Sequence, residues 1–500
     1  MRCNWAAKRE VISCMVLGAA YYRIGGKDIM STRRNFLRTV GLGAASLAVS
    51  PSISLSGGSA GRASGSKPNI VFLLADDLGF KDVGCHGGTI KTPNIDKLAA
   101  AGTRLDQFYV QPVCSPTRSS LMTGRYPMRY GLQVGVVRPW AQHGLPLGER
   151  TLAQALKEAG YTTAICGKWH LGHLDARYLP TSRGFDHQYG HYNGALDYFT
   201  HIRDKGLDWN RDDKPIREEG YTTDLIADES VRLIEQHDVS HPLFLYVPFN
   251  APHSPFQAPQ SYLNMYKHIK APNKRAFAAM VTCMDDAIGR IISALDKRGM
   301  RGNTLIFFCS DNGGVGNVAD NGPLRGQKAQ LYEGGIRVPA IAVWPGVLKA
   351  GVLMREPLHL VDMYPTLLKL AGAGLEQPLP LDGKDAWPTI ARGRPSPHEE
   401  ILLNVTPYNG AIRRGDWKLI HNGKLGANYT DPRPSEDTFE LFNIADDPYE
   451  KNDLSQKNPQ KLRELKRCLE SYARQAAKAN IPPNRMPKDF KTPRAWGHPD

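Results

Sequence analysis

Two groups of side chains stand where a hard cation could be held. Asp76-Asp77 closes the apolar run Asn69-Ile70-Val71-Phe72-Leu73-Leu74, and Ser310-Asp311-Asn312-Gly313-Gly314 closes the run from Thr304 to Cys309. Both runs have the length of a buried strand, and ligands of α/β sheets gather at the carboxyl ends of strands. Adjacent carboxylates repel each other, and a cation between them relieves the repulsion. Taken singly, either group reads equally well as a solvated acidic turn. Together they present enough side-chain oxygen to enclose one Ca2+ or Mg2+ ion. A third candidate is Cys114 in Cys114-Ser115-Pro116-Thr117-Arg118, although a lone cysteine more often serves packing than chemistry.

A second stretch gives that cysteine its meaning. Cys114-x-Pro116-x-Arg118, running on through Leu121-Met122-Thr123-Gly124-Arg125, resembles the signature of the type I sulfatases. Gly160-Tyr161-Thr162-Thr163-Ala164-Ile165-Cys166-Gly167-Lys168-Trp169-His170 is similar to that family's second signature. The likeness takes in both acidic strand ends, Ala251-Pro252-His253 and Pro323-Leu324-Arg325-Gly326-Gln327-Lys328, and runs from residue 68 to about 450 in the family's order. With Glu333-Gly334-Gly335-Ile336-Arg337-Val338-Pro339, it looks closest to arylsulfatase B, the N-acetylgalactosamine-4-sulfatase branch.

The resemblance implies a mechanism. In that family a maturation enzyme reads Cys-x-Pro-x-Arg and oxidises the cysteine to formylglycine. A formyl group hydrates to a geminal diol, and metal coordination lowers the pKa of one hydroxyl, which attacks sulfur. Deprotonating the second hydroxyl then expels sulfate, an exit that a plain Ser or Cys lacks. By the same resemblance Asp76, Asp77, Asp311 and Asn312 hold the cation with the modified Cys114, and Ca2+ ranks ahead of Mg2+. Arg118 neutralises charge at Cys114, while Lys168 and Lys328 clamp sulfate oxygens. His170 is the expected base and His253 the expected acid toward the leaving oxygen. The aromatic segment Gly190 to His201 reads either as a structural loop or as a wall of the substrate pocket, with Asn193 and Asp197 the candidates to touch a sulfated carbohydrate.

Elements must position these groups. Helices are expected over Asn94 to Ala101, Thr151 to Ala159, Asp224 to Gln236 and Ala276 to Lys297. Strands are expected over Thr103 to Val110, Tyr161 to Cys166 and Pro242 to Phe249, besides the two runs above. Strands alternating with helices argue for a mainly parallel sheet covered on both faces. The resemblance implies an alkaline-phosphatase-like α/β sandwich. Beyond residue 395 two hairpin strands (Ala411 to Ile420), Phe439 to Phe442 and a helix from Leu462 to Ala477 suggest a smaller antiparallel α+β subdomain. The expected division is therefore 1–67, 68–395 and 396–500.

The first of those segments reads as a leader. Ser31-Thr32-Arg33-Arg34-Asn35-Phe36-Leu37-Arg38 and the small-residue run Thr39 to Ser50 form a twin-arginine signal, followed by a Ser/Gly/Ala linker. Met30 reads as the initiator, with 1–29 a dispensable extension. No apolar run approaches the ~20 residues of a spanning helix, so no membrane anchor is expected. Twin-arginine machinery carries folded proteins, which puts maturation of Cys114 before export to a bacterial periplasm or medium. The net charge of +14 falls to +8 once the eight basic and two acidic residues of 1–60 are set aside. The surplus reads first as a solvated basic surface; no Lys/Arg block or motif favours nucleic acid, and attraction for sulfated polysaccharide stays open. Eight cysteines without framework spacing argue against a disulfide-stapled fold. Two rivals stand beside the sulfatase reading. A phosphomonoesterase or phosphodiesterase of the same superfamily would use Ser or Thr and two metals with His ligands. A non-catalytic glycan-binding protein would leave Cys114 unmodified.

Overall fold

Asn69–Ala75, buried along its whole length, forms β1. The computed structural model describes residues 67–426, 433 and 435–498, together with Tyr21–Ile24 and Lys27–Met30, which pair as an antiparallel hairpin in a unit of their own. The twin-arginine segment and the linker as far as residue 66 lie outside the described residues. The other strands joined with β1 are β2 (Thr103–Leu105), β3 (Thr162–Lys168), β4 (His187–His191), β5 (Asn210–Arg211) and β6 (Lys214–Pro215). They continue with β7 (Leu243–Pro248), β8 (Thr304–Ser310), β9 (Ala340–Val343) and β10 (Val352–Met354). These ten make one sheet in the order β6-β5-β4-β3-β7-β1-β8-β9-β2-β10. The five strands from β4 to β8 are all parallel, and their carboxyl ends open on one edge.

Alternation along β1 shows how the two faces are filled. Val71, Leu73 and Ala75 join a core with α1 (Pro93–Ala101), α3 (Thr222–Gln236) and α4 (Pro272–Lys297). Ile70, Phe72 and Leu74 face the other way, into a core with Leu121 and Met122 of α2 (Cys114–Thr123). Each Leu, Ile or Phe buried in this way contributes about 1.5–3 kcal/mol relative to exposure. A sheet apolar on both faces has to be covered on both, and the sandwich expected from the sequence is the result. Among the described residues no helix is long and apolar enough to cross a membrane.

Two expectations need correction. Thr103 to Val110 is not one strand: Leu105 ends β2, and Phe108–Tyr109 pairs with Leu358–His359 in a separate small sheet. Asp106 and Gln107 turn the chain between them, and an apolar pattern alone does not reveal that break. The stretch from Gly190 is not wholly loop either, because Gly190 and His191 complete β4.

A second sheet follows in the C-terminal part. Its strands β11 (Glu400–Val405), β12 (Gly410–Arg414), β13 (Trp417–His421) and β14 (Phe439–Asn443) run antiparallel in that order. Leu465 and Leu469 of α5 (Pro459–Ala473) pack against it, with Tyr126, Met128 and Val361 in the same core. A buried charge cluster ties this sheet to the chain ahead of β9. The ammonium of Lys418, on β13, lies 2.8 Å from Glu333 Oε1 and 2.7 Å from Glu450 Oε1, with all three side chains fully buried. Tyr109 Oη donates to Glu333 Oε2 at 2.9 Å, and the Glu333 amide donates to Glu450 Oε2 at 2.7 Å. Glu333-Gly334-Gly335 opens a short helical turn, whose Gly335 carbonyl accepts the amide of Gly313 at 2.9 Å. A Cβ on Gly313 would meet the Gly334 carbonyl oxygen at 1.9 Å, so only glycine fits that crossing.

Candidate active site

The carboxyl ends of the parallel strands bring the expected residues together. Asp76 and Asp77 leave β1, Asp311 and Asn312 leave β8, and Lys168 ends β3. His253 follows β7, and Lys328 arrives on the loop after Asn312. Asp77, His170 and Ala329 hold positive φ of 66°, 60° and 64°. Such backbone persists where the surroundings over-determine it, as they do around sites.

Cys114 opens α2, a helix buried at every position. Three of its hydroxyls are tolerated inside because they bond back along it. Ser119 and Ser120 hydroxyls donate to the Pro116 carbonyl, and Thr123 donates to that of Ser119. Gly124, at φ 66°, ends the helix against Tyr364. Cys114 thus lies at the positive end of a helix dipole. Even so, burial pushes its thiol above the ordinary 9.0, against the pull of Lys168 and Lys328. The thiol stays protonated at neutral pH and is a poor nucleophile as it stands.

Arg118, one turn into α2, is fully buried. Its Nε and Nη2 donate to Asp311 Oδ2 at 3.1 and 2.9 Å, and its Nη1 donates to the Lys168 carbonyl at 3.1 Å. The Lys168 ammonium lies 2.5 Å from Asp76 Oδ2, and that of Lys328 lies 2.6 Å from Asp77 Oδ1. Burial works against the charged form of Asp76, but Lys168, His253 and Arg118 outweigh it and hold its carboxyl well below the usual range. Burial and then the Asp76 charge push Asp311 the other way, upward.

A divalent cation fits these donors. Among the described residues Asp76 Oδ1 and Asn312 Oδ1 are buried without a hydrogen-bond partner, an arrangement costly to leave unfilled. Asn312 turns its Nδ2 to Asp77 Oδ1 at 2.7 Å and to the Gly313 carbonyl at 3.0 Å, which frees its oxygen. The set is all oxygen, as Ca2+ or Mg2+ requires. The geometry also adds a neighbour: ligand atoms of Asp76, Asp77 and His253 lie within 4.8 Å of one another. Asp311 is partly committed elsewhere, because its Oδ2 serves Arg118 and its Oδ1 accepts the Asp77 amide at 3.3 Å.

The two histidines are held differently. His170 Nε2 faces the Val137 carbonyl at 3.1 Å, and its Nδ1 has no partner among the described residues. Burial, then Lys168 and Arg118, drive its pKa well below 6.5, so the ring is neutral with Nδ1 open to accept a proton. His253 Nδ1 faces the Ser254 carbonyl at 2.6 Å, and its Nε2 stands 3.6 Å from Asp77 Oδ2.

The 190–201 segment divides. Asn193 is fully buried beside the site, with both amide atoms unpartnered among the described residues. Asp197 departs from the expected pocket wall. Its Oδ1 accepts from the Phe199 and Thr200 amides and the Thr200 hydroxyl, and its Oδ2 accepts from Gln257. Its carboxylate is consumed in closing its own turn.

Sequence reasoning passed over two contributors. The Ser115 hydroxyl donates to the His170 carbonyl at 3.0 Å and accepts the Val137 amide at 3.1 Å, joining Cys114's neighbour to both sides of His170. Tyr198 Oη lies 2.6 Å from the Asn250 carbonyl and 2.7 Å from that of His253, fixing the His253 turn. Ser115 was hidden inside the motif, and the only signal for Tyr198 was the aromatic character of its loop.

The model of the Sulfatase family matches residues 68–373, more than half the chain and all of the residues above. The chain belongs to the sulfatase family. Like its relatives, this sulfatase is a hydrolase of sulfate esters. It is 38% identical to arylsulfatase J of Mus musculus, over 85% of this chain and 79% of that protein. It is 34% identical to N-acetylgalactosamine-6-sulfatase of Mus musculus, over 65% of this chain and 67% of that one. Among solved structures it resembles Ps i-CgsB in complex with k-i-k-neocarrahexaose, with a TM-score of 0.75, 34% identity, and coverage of 83% of this chain and 94% of that one.

Proposed function

We propose that this sulfatase removes sulfate from a sulfated carbohydrate, of the galactosamine or galactose 4-sulfate type, with an attacking group made from Cys114. The observation that carries the reading is the setting of Cys114. A protonated thiol at the positive end of a buried helix is inert, yet the charged groups of Lys168, Lys328, Asp76 and Asp311 all act on it. Oxidation to formylglycine by a maturation enzyme would supply, in hydrated form, an oxygen nucleophile and a second hydroxyl for release. Ca2+ held by Asp76, Asp77, Asp311 and Asn312 would lower the pKa of that nucleophile.

The chain's own residues do the rest. With their carboxylate partners turned to a cation, Lys168 and Lys328 are placed to bind sulfate oxygens. Arg118 holds Asp311 and balances its charge. His170 accepts a proton at Nδ1, since Val137 fixes the proton of the neutral ring on Nε2. His253 gives a proton to the leaving oxygen, and Tyr198 keeps its turn in place. A carbohydrate substrate is supported by relatives whose names give N-acetylgalactosamine-6-sulfatase and a neocarrahexaose complex. Export through the twin-arginine machinery, to periplasm or medium, is part of the proposal.

The decisive measurement is the mass of the Cys114 peptide from protein made in its own host. Conversion removes ~18 Da relative to cysteine. An unmodified thiol throughout would refute the mechanism and favour a glycan-binding role. A second expectation concerns His253. His253→Ala should cost sugar sulfates about 10²–10⁴-fold in kcat and activated phenyl sulfates far less, because only poor leaving groups need the proton. Equal losses on both substrate types would remove His253 from the acid role.

A further inference from the structure

The chain beyond α5 has no regular element, yet it is bound at both ends to the face that carries the site. At one end the Ala477 amide donates to the Met128 carbonyl and the Asn480 amide to that of Gly131, both at 2.8 Å. Trp140 Nε1 then donates to the Pro483 carbonyl at 2.7 Å. At the other end the Leu207 amide donates to the Arg494 carbonyl at 2.9 Å. Trp496 is fully buried, with its Nε1 2.8 Å from the Arg203 carbonyl and its ring 5.3 Å from that of His173. The first anchor is the loop whose Val137 carbonyl holds His170. The second takes in the 203–207 turn and, through the ring of His173, the segment just past His170. The strap therefore runs along the rim of the site.

Its composition is one-sided. Arg474, Lys478, Arg485, Lys488, Lys491 and Arg494 are all exposed, and Asp489 is the single acid from Arg474 to Arg494. None of the six makes an ion pair or side-chain hydrogen bond among the described residues. Some cations elsewhere on the surface do find carboxylates, as Arg290 does with Asp224 and Asp228, or Lys369 with Asp385. Six unpaired cations on one strap repel one another, and a polyanion lying along them relieves the repulsion and releases its own counterions.

We infer that residues 474–494 form a rail for a sulfated polysaccharide chain, holding the polymer along the site rim while one sulfate is removed. This rests on the carbohydrate reading above and extends it from a single sugar to a chain. The test uses the full chain with Lys478, Arg485, Lys488 and Lys491 all changed to Gln. These are exposed positions outside the catalytic set, so turnover of 4-nitrophenyl sulfate should stay within about twofold of the parent. Affinity for dextran sulfate, by calorimetry at about 0.1 M salt, should fall about tenfold or more and lose much of its salt dependence. A control changes Lys267, Lys270, Lys274 and Lys297 to Gln, the same charge on and beside α4, and should retain parental affinity.

Unchanged affinity in the strap variant would overturn the rail. An equal loss in the control would reduce the effect to net charge and overturn it too. Loss of aryl-sulfate turnover in step with affinity would place these cations at the sulfate itself, again against the rail. Binding to dextran sulfate requires no hydrolysis. Failure of the carbohydrate reading would show separately, as no sulfate released from any sulfated sugar.

Discussion

Cys114→Ala is expected to abolish sulfate-ester hydrolysis, a loss of at least about 10⁴-fold in kcat, while the fold stays intact. The size follows from the absence of any substitute. In the proposed mechanism every other group at the site is a ligand, a clamp or a proton carrier, and none supplies a nucleophile. Folding should be spared because the change deletes one sulfur and leaves α2 with a better helix former at its first position. The side chain is only 2% exposed, but what surrounds it is polar: Lys168, Lys328, Asp76 and Asp311. A small void there can take water. Far-UV circular dichroism and the urea midpoint should match the parent, and substrate should still bind through the two lysines. Retained arylsulfatase turnover would end the claim that the nucleophile comes from this position.

The second large effect lies away from the site. Lys418→Met should destabilise the protein by about 3–5 kcal/mol, the usual cost of stranding buried charge. Glu333 and Glu450 share that one ammonium, and all three side chains are fully buried. Burial opposes the ionised form of Glu333, but Lys418 and Arg337 hold it below the usual range; burial pushes Glu450 upward despite Lys418. Without the lysine two carboxyls face each other across the junction. Adding Glu450→Gln to Lys418→Met should recover part of the loss, since one surplus charge is gone and Arg337 still serves Glu333. A denaturation series across the single and double variants measures this. A Lys418→Met protein as stable as the parent would show that the junction is wetter than the structure has it. The variant should also be slower, because Gly335 holds Gly313 beside Asn312.

Much of this architecture could be read from the chain. The strands β1, β7 and β8 are buried on both faces, so they appear as nearly unbroken apolar runs, and the acids after β1 and β8 mark the site by position. The helix α2 could not be read in that way. It is buried all round yet rich in Ser and Thr, whose hydroxyls are satisfied by carbonyls of the helix itself and of Gln111 and His170, which leaves no amphipathic period. Ser115 and Tyr198 were invisible for a related reason. Their partners are backbone carbonyls 55 residues away, at His170 and His253, and any residue type could have supplied those. Asp197 misled because a short acid in a loop serves a ligand and an Asx turn equally well. Lys418 carries no sequence signal: it looks like the outward residue of a hairpin strand until Glu333 and Glu450 arrive.

The strand order also sets a schedule. β1 lies between β7 and β8, and the carboxylate that receives Arg118 belongs to Asp311, 193 residues further on. Leu121 and Met122 likewise pack in a core that includes Leu305 and Phe307 of β8. A ribosome adding about 5–20 residues each second needs roughly 10–40 s to cover that distance. Throughout that interval the nascent α2 has neither its ion partner nor half of its apolar bed. The maturation enzyme proposed above would have to reach the sulfur of Cys114 within that window, which closes when the eighth strand slides in beside the first.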